Sequence, residues 1–236
     1  MEFWSDVDRQ TWKTSSVAVI KNVLSASSKS IFLDIGAWIG PQTLFGANFA
    51  KQVFAVEPDP WAFSALNANL RLNPALESRT RIFHECILDK SNPQVKMVGS
   101  ADGSSRVADV VGDAGLRGGA SWPVKCRSLK DFINQEGINT ANLALISLDV
   151  SGLELDILSS MSSLLKGAEK PAILLSVHKP AWKTTASLKA AWEFATSYQH
   201  IYQFKHAVPL AESVLTSASF CEQDGCVMLL SDAEYK

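Results

Sequence analysis

The sequence predicts an α/β domain in which a mostly parallel sheet is covered by helices on both faces. Three observations carry this. Short apolar runs alternate with segments of helical period. Several of the runs are apolar at nearly every position, as strands buried on both faces must be. Charged residues make up only 19% of the 236-residue chain against 47% hydrophobic. That balance excludes general disorder, and the length suits one large domain with a sizeable core.

The elements follow in order. Val17, Ile20 and Leu24 give one apolar side to a helix over Ser16–Ser25, within an N-terminal helical segment over 1–29. Ile31–Ile35 is the first strand, and Pro41 opens a helix running to about Ala50. Val53–Val56 is the second strand. Pro60 opens the next helix, in which Phe63, Leu66 and Leu70 share a face. The remaining strands are read at Arg81–Cys86, Leu143–Val150, Ala172–Val177, His200–Phe204 and Cys226–Leu230, which makes seven. Ser128 with Asp131 has the form of a capping box ahead of Leu129, Phe132 and Ile133. Leu153, Ile157, Leu158, Met161, Leu164 and Leu165 form a broad apolar stripe, and Leu188, Ala191, Trp192 and Ala195 mark one more helix. The Gly-, Ser- and Asp-rich stretch 91–121 interrupts this alternation. It reads as an insertion of loops with a hairpin, inside a single domain spanning 1–236, and such an insertion commonly forms part of a site.

The chemistry gathers after the first two strands. Asp34 ends the first strand and Gly36 and Gly40 follow, so the chain can turn sharply and approach a ligand closely. Glu57 ends the second strand 23 positions after Asp34, where an acidic group accepts hydrogen bonds from ribose hydroxyls. A dinucleotide site wants Gly-x-Gly-x-x-Gly facing a pyrophosphate; here Trp38 stands at the middle glycine and Asp34 adds negative charge. No phosphate loop for ATP is present. S-adenosyl-L-methionine, a nucleoside without phosphate and with a cationic sulfonium and ammonium, fits better than a nicotinamide dinucleotide.

The run Asp34-Ile-Gly-Ala-Trp-Ile-Gly-Pro-Gln-Thr43, then Val56-Glu-Pro-Asp-Pro60, then Asn69 and Asn73, resembles the FkbM-type family of class I methyltransferases. Leu148-Asp-Val-Ser-Gly-Leu-Glu-Leu-Asp-Ile-Leu158 resembles the second signature of that family, and Val124–Ile133 the segment ahead of it. The resemblance covers about Ser30 to His178. It implies a Rossmann-like seven-stranded sheet with adenosylmethionine at the carboxyl ends of its strands. It also implies transfer of a methyl group to a hydroxyl of a sugar, glycan or natural product. Carried over by position, Asp34, Gly36 and Gly40 would line the methionine part and Glu57 would hold the ribose. Asp59 would sit where the chain leaves that pocket, and the turn at Cys86 and Ile87 would edge the adenine. Asp149 would face the transferred methyl. Where the family reads Lys-x-Asp-Val-Glu-Gly this chain has Ser147-Leu-Asp-Val-Ser-Gly152, so two charges are missing. Their loss motivates a second reading, a cofactor-binding but inactive protein that acts through partner contacts.

Methyl transfer to oxygen needs alignment and a base for the hydroxyl proton. His178, at the end of the fifth strand, is the base candidate by position and by its titration range. Asp149 could orient the acceptor, act as base itself, or cap the next helix. Glu154 reads as structural, since Ser151-x-x-Glu154 has capping-box spacing. Ser104, Ser105 and Arg106 in the insertion are candidate polar contacts to the acceptor, and Lys179 and Trp182 lie just past the fifth strand.

The partner expected is a small hydroxylated acceptor. A net charge of −2 speaks against a nucleic-acid binder. No stretch approaches the roughly 18 apolar residues of a membrane span, and the acidic start Met-Glu-Phe-Trp-Ser-Asp lacks the pattern of a signal peptide. Cys86, Cys126, Cys221 and Cys226 have no zinc-ligand spacing and read as small buried apolar side chains in a reducing, cytoplasmic setting.

Overall fold

The structure is a computed structural model that describes residues 5, 12–88, 95–99, 105–107, 120–164, 170–178, 193–204, 208–209 and 227–235. Its central sheet is built from β1 (Ile31–Ile35), β2 (Gln52–Val56), β3 (Thr80–Phe83), β9 (Leu143–Leu148), β10 (Ala172–Ser176), β11 (His200–Phe204) and β13 (Val227–Ser231). These seven lie in the order β11-β13-β10-β9-β1-β2-β3, with the two-residue β12 (Val208–Pro209) added outside β11. Pro209, which has no N–H to donate, is tolerated at that outer edge. The pairs β3–β2, β2–β1, β1–β9 and β9–β10 are parallel, and β13 runs antiparallel between β10 and β11. The expected Rossmann-like, mostly parallel seven-stranded sheet is thus present.

The α-helices among the described residues are α1 (Thr14–Ala26), α2 (Pro41–Gly46), α3 (Pro60–Arg71), α4 (Pro74–Glu77), α5 (Leu129–Gln135) and α6 (Glu154–Leu164). Because side chains alternate along a strand, β1 feeds two cores. Ile31, Leu33 and Ile35 join the cluster that includes Leu129 and Phe132 of α5 and Ile157 and Met161 of α6. Phe32 joins the cluster that includes Val19, Ile20 and Leu24 of α1. The strand order reverses between β1 and β9. In open α/β sheets a ligand crevice forms at such a point, outside the carboxyl ends of the strands.

Three expectations are corrected. The third strand stops at Phe83 rather than Cys86, because the chain leaves the sheet there. Cys86–Leu88 (β4) instead pairs in parallel with Cys126–Ser128 (β8). The fourth strand stops at Leu148, since Ser151 at φ 48° and Gly152 at φ 114° turn the chain away. The helix opened by Pro41 is regular only to Gly46. Ser128 does cap α5: its Oγ accepts from Asp131 N at 3.0 Å, while its hydroxyl donates to Asp131 Oδ2 at 2.8 Å.

Within 91–121 the described residues other than Ser105 form strands. Val95–Gly99 (β5) pairs antiparallel with Arg106–Val107 (β6) on one side and with Ala120–Val124 (β7) on the other. Ser104, Lys179, Trp182, Leu188, Ala191, Trp192, Cys221 and Cys226 lie outside the described residues. No helix among the described residues is long and apolar enough to cross a membrane.

Candidate functional site

A cavity of about 260 Å³ opens at the carboxyl ends of β1, β2 and β9, where the strand order reverses. Its floor is the turn after β1. Gly36 N and Ala37 N both donate to Val56 O, at 2.9 and 3.0 Å, which closes the turn onto β2. Gly36 has φ 86°, and a Cβ there would lie 2.0 Å from Asp149 O. Only glycine fits between the two strands at that point. Gly40 has φ 96° and opens α2, and a Cβ on it would meet Leu66 Cδ1 at 2.6 Å. Gly40 therefore supports the turn from behind and does not line the cavity.

Asp34 is also behind the cavity wall. Alternation puts it on the same side of β1 as Phe32, beneath α2, where it is buried and accepts from Thr43 Oγ1 at 2.6 Å. Its register partner Ser147 donates to Gln42 Oε1 at 3.2 Å in the same buried layer. Burial raises the Asp34 carboxyl to about 6 against the pull of the Thr43 bond.

Glu57 does line the cavity. Its two oxygens accept from Trp38 N and Asp59 N, each at 2.7 Å. Burial raises its carboxyl to about 7, although both backbone bonds favour the ionised form. Asp59 caps α3 with Oδ1, accepting from Trp61 N at 2.8 Å and Ala62 N at 3.1 Å. Its Oδ2 accepts from Ser105 Oγ. This contact brings the insertion to the cavity wall, where Ser105 and Met97 stand among the lining residues. Arg106 lies in β6, beside Ser105 in sequence.

Cys86 and Ile87 line the wall beyond β3. Cys86 is joined to Cys126 by a disulfide, with 4.5 Å between the two Cα atoms. The expectation of unpaired cysteines is corrected here. The two face each other as register partners of β4 and β8, a proximity that a 40-residue separation hides in the sequence. Disulfides persist in oxidising surroundings, so the cysteines no longer support a cytoplasmic setting. Next to Cys86, Glu85 binds the buried Arg127 through both carboxylate oxygens. Arg127 also donates to Gln135 Oε1 at 2.9 Å and Glu136 Oε1 at 2.8 Å. Burial would lower its pKa, but these acceptors outweigh that and the guanidinium stays charged.

Beside the cavity four titratable groups form a chain. Lys13 Nζ pairs with Asp149 Oδ2. Asp149 Oδ1 stands 3.5 Å from His178 Nε2, and His178 Nδ1 is 2.6 Å from Glu154 Oε1. Glu154 is fully buried, and its carboxylate also accepts from Gly152 N at 3.0 and 3.2 Å. Burial alone would lower the His178 pKa, but the Glu154 bond and the charges of Glu154 and Asp149 raise it overall. The structure therefore brings His178 and Asp149 together at the cavity. Asp149 is held by Lys13 rather than by the start of α6, and Glu154, itself the first residue of α6, accepts from Gly152 N rather than closing a capping box with Ser151. Lys13, Trp12, Met97 and Glu85 are among the lining residues that sequence reasoning did not single out, and it read Glu154 only as structural. Of these only Glu154 carried a local signal, its spacing from Ser151.

No protein-family model matches the chain, and no curated protein matches it in sequence. Solved structures match it in fold. The methyltransferase FkbM from Methylobacillus flagellatus KT is 18% identical, with a TM-score of 0.51 over 86% of this chain and 43% of that one. Precorrin-6y C5,15-methyltransferase from Geobacter metallireducens is 12% identical, with a TM-score of 0.48 over 92% of this chain and 87% of that one. An adenosylmethionine-dependent O-methyltransferase from Thermotoga maritima is 12% identical, with a TM-score of 0.48 over 94% of this chain and 66% of that one. The likeness to the first shows that this chain has the Rossmann-like fold of a methyltransferase, and that the chain spans less than half that protein's length.

Proposed function

We propose that this protein is an S-adenosyl-L-methionine-dependent O-methyltransferase acting on a hydroxyl of a sugar, glycan or natural product. The observation that carries the proposal is Glu57, a buried carboxylate on the cavity wall at the end of β2, at the point where the strand order reverses. Each of its oxygens receives one backbone N–H and keeps capacity for a second donor, which suits the two hydroxyls of a ribose. The rest of the lining suits the remainder of that cofactor. The Gly36 turn admits close approach, Cys86 and Ile87 offer a mostly apolar edge for the adenine, and Glu57, Asp59 and Asp149 make the wall acidic. A pyrophosphate would meet those carboxylates instead of a glycine-lined helix start.

When bound, adenosylmethionine supplies an electrophilic methyl group whose sulfur leaves as a neutral thioether. The chain's own residues would do the rest. Glu57 fixes the nucleoside end, and Asp149, anchored by Lys13, stands beside the imidazole. His178 is the group that takes the acceptor hydroxyl's proton, at Nε2, because Nδ1 is occupied by Glu154. Asp34 and Gly40 act from behind the wall by holding the turn.

Calorimetry with adenosylhomocysteine and labelled-methyl transfer to a panel of sugars and glycoconjugates test this. Binding of adenosylhomocysteine with transfer to a hydroxyl supports the proposal. No binding overturns it, and binding without transfer to any acceptor favours the inactive, partner-binding reading.

A further inference from the structure

We infer that Glu154 is a positioning residue, which holds the His178 imidazole with its proton on Nδ1 and its Nε2 lone pair available at the cavity. This rests on the methyl-transfer reading of the site. Four observations lead to it. Glu154 is fully buried, although ionisable groups are rarely so unless paired. Its Oε1 is 2.6 Å from His178 Nδ1, and a carboxylate can only accept there, so Nδ1 is the protonated nitrogen. Gly152 N bonds both carboxylate oxygens and locks the group that locks the ring. His178 lines the cavity while Glu154 does not, so only the imidazole can meet an acceptor.

Among the described residues, the groups facing His178 are Glu154 from α6, Asp149 from the end of β9 and, through Asp149, Lys13 from the segment ahead of α1. Asp149 also faces Nε2, so two carboxylates flank one ring and stabilise the cation it becomes on taking a proton, which makes its neutral form a stronger base. A base poised in this way accepts a hydroxyl proton at Nε2 and becomes imidazolium between two carboxylates. The same arrangement of nucleophile, base and orienting acid recurs on unrelated folds. Here the nucleophile would be the acceptor's own oxygen. It gives its proton to Nε2 and gains the methyl carbon, while the carbon–sulfur electron pair stays on sulfur.

The test uses the ligand-free full chain, labelled with ¹⁵N-histidine, as wild type, Glu154→Gln and His178→Gln, the last to assign the signal. In wild type the neutral His178 ring should carry its proton on Nδ1. In Glu154→Gln its titration midpoint should move down, and the tautomer population should shift toward Nε2–H. Adenosylhomocysteine, measured by calorimetry, should bind both proteins within twofold. A neutral wild-type ring protonated on Nε2, or a midpoint and tautomer unmoved by Glu154→Gln, would overturn the inference. If Glu154→Gln fails to fold, the wild-type tautomer decides alone. Wild type that does not bind adenosylhomocysteine overturns the methyl-transfer reading instead. A role confined to helix stability would move the melting temperature and leave the tautomer where it was.

Discussion

Glu57 shows how a single carboxylate can be both buried and useful. Its two backbone bonds arise because the turns after β1 and β2 each aim one N–H at the same group. The Trp38 N–H gets there through a left-handed residue, φ 51°, an uncommon conformation for a side chain of that size. Strain of this kind persists where the surroundings over-determine it, and it clusters at ligand clamps. Replacing Glu57 with Ala removes acceptors that a ribose would use. Hydrogen bonds to charged groups contribute roughly 1.5–3 kcal/mol each, so affinity for adenosylhomocysteine should fall at least tenfold by calorimetry. An unchanged affinity would mean that the nucleoside lies elsewhere. Asp34 teaches the opposite lesson. It stands at a strand end, as a ligand-facing acid would, yet period-two alternation turns it beneath α2 onto Thr43. The phase of that alternation was invisible because β1 is buried on both faces and its other four residues are apolar.

At the scale of elements, the parallel strands were legible because burial on both faces is written directly in their composition. The helices opened by Pro41 and Pro60 and the Ser128 cap were legible because their signals are local. What was hidden depends on partners far apart in sequence. β3 ends early, and the chain beyond it is tied to β8 by the disulfide and by Glu85 with Arg127, 42 positions apart. Lys13 reaches Asp149 across 136 positions. It supplies a cation near the segment where the resemblance had marked a lost lysine at Ser147. The pairing of β4 with β8 is only three residues long on each side, so the disulfide is a main part of what holds it. Closing a loop of 40 residues stabilises a domain by roughly 4 kcal/mol in the chain-entropy treatment. Denaturant unfolding of Cys126→Ser, or of the reduced protein, should show a loss of about that size. Because Cys86 lines the cavity, affinity for adenosylhomocysteine should weaken in parallel. A reduced protein with unchanged stability and affinity would mean that the strand pairing holds itself.

The whole molecule carries its buried acids as a pH-dependent load. The Asp34 carboxyl lies at about 6 and that of Glu57 at about 7, both raised chiefly by burial, and His178 is raised by its two carboxylate neighbours. A group whose folded pKa exceeds its unfolded one binds more protons in the native state. Its contribution is complete below the unfolded pKa and is lost as pH rises through the folded value. For Asp34 and Glu57 the window runs from about 4 to about 7, and each shift corresponds to about 3 kcal/mol. All three groups act in the same direction, so the ligand-free protein should melt at a higher temperature at pH near 5.5 than near 8. Hydroxyl donors brought to Glu57 by a nucleoside favour its ionised form and oppose the burial that raised it. Binding should therefore release a proton near pH 6.5, and affinity for adenosylhomocysteine should climb between about pH 6 and pH 8. Calorimetry in buffers of different ionisation enthalpy reads that proton directly. With Glu57→Gln most of the release should vanish while the stability slope from Asp34 and His178 remains. A melting temperature that falls on mild acidification would instead mean that carboxylates outside the site, stabilised in their ionised form by the fold, dominate the titration.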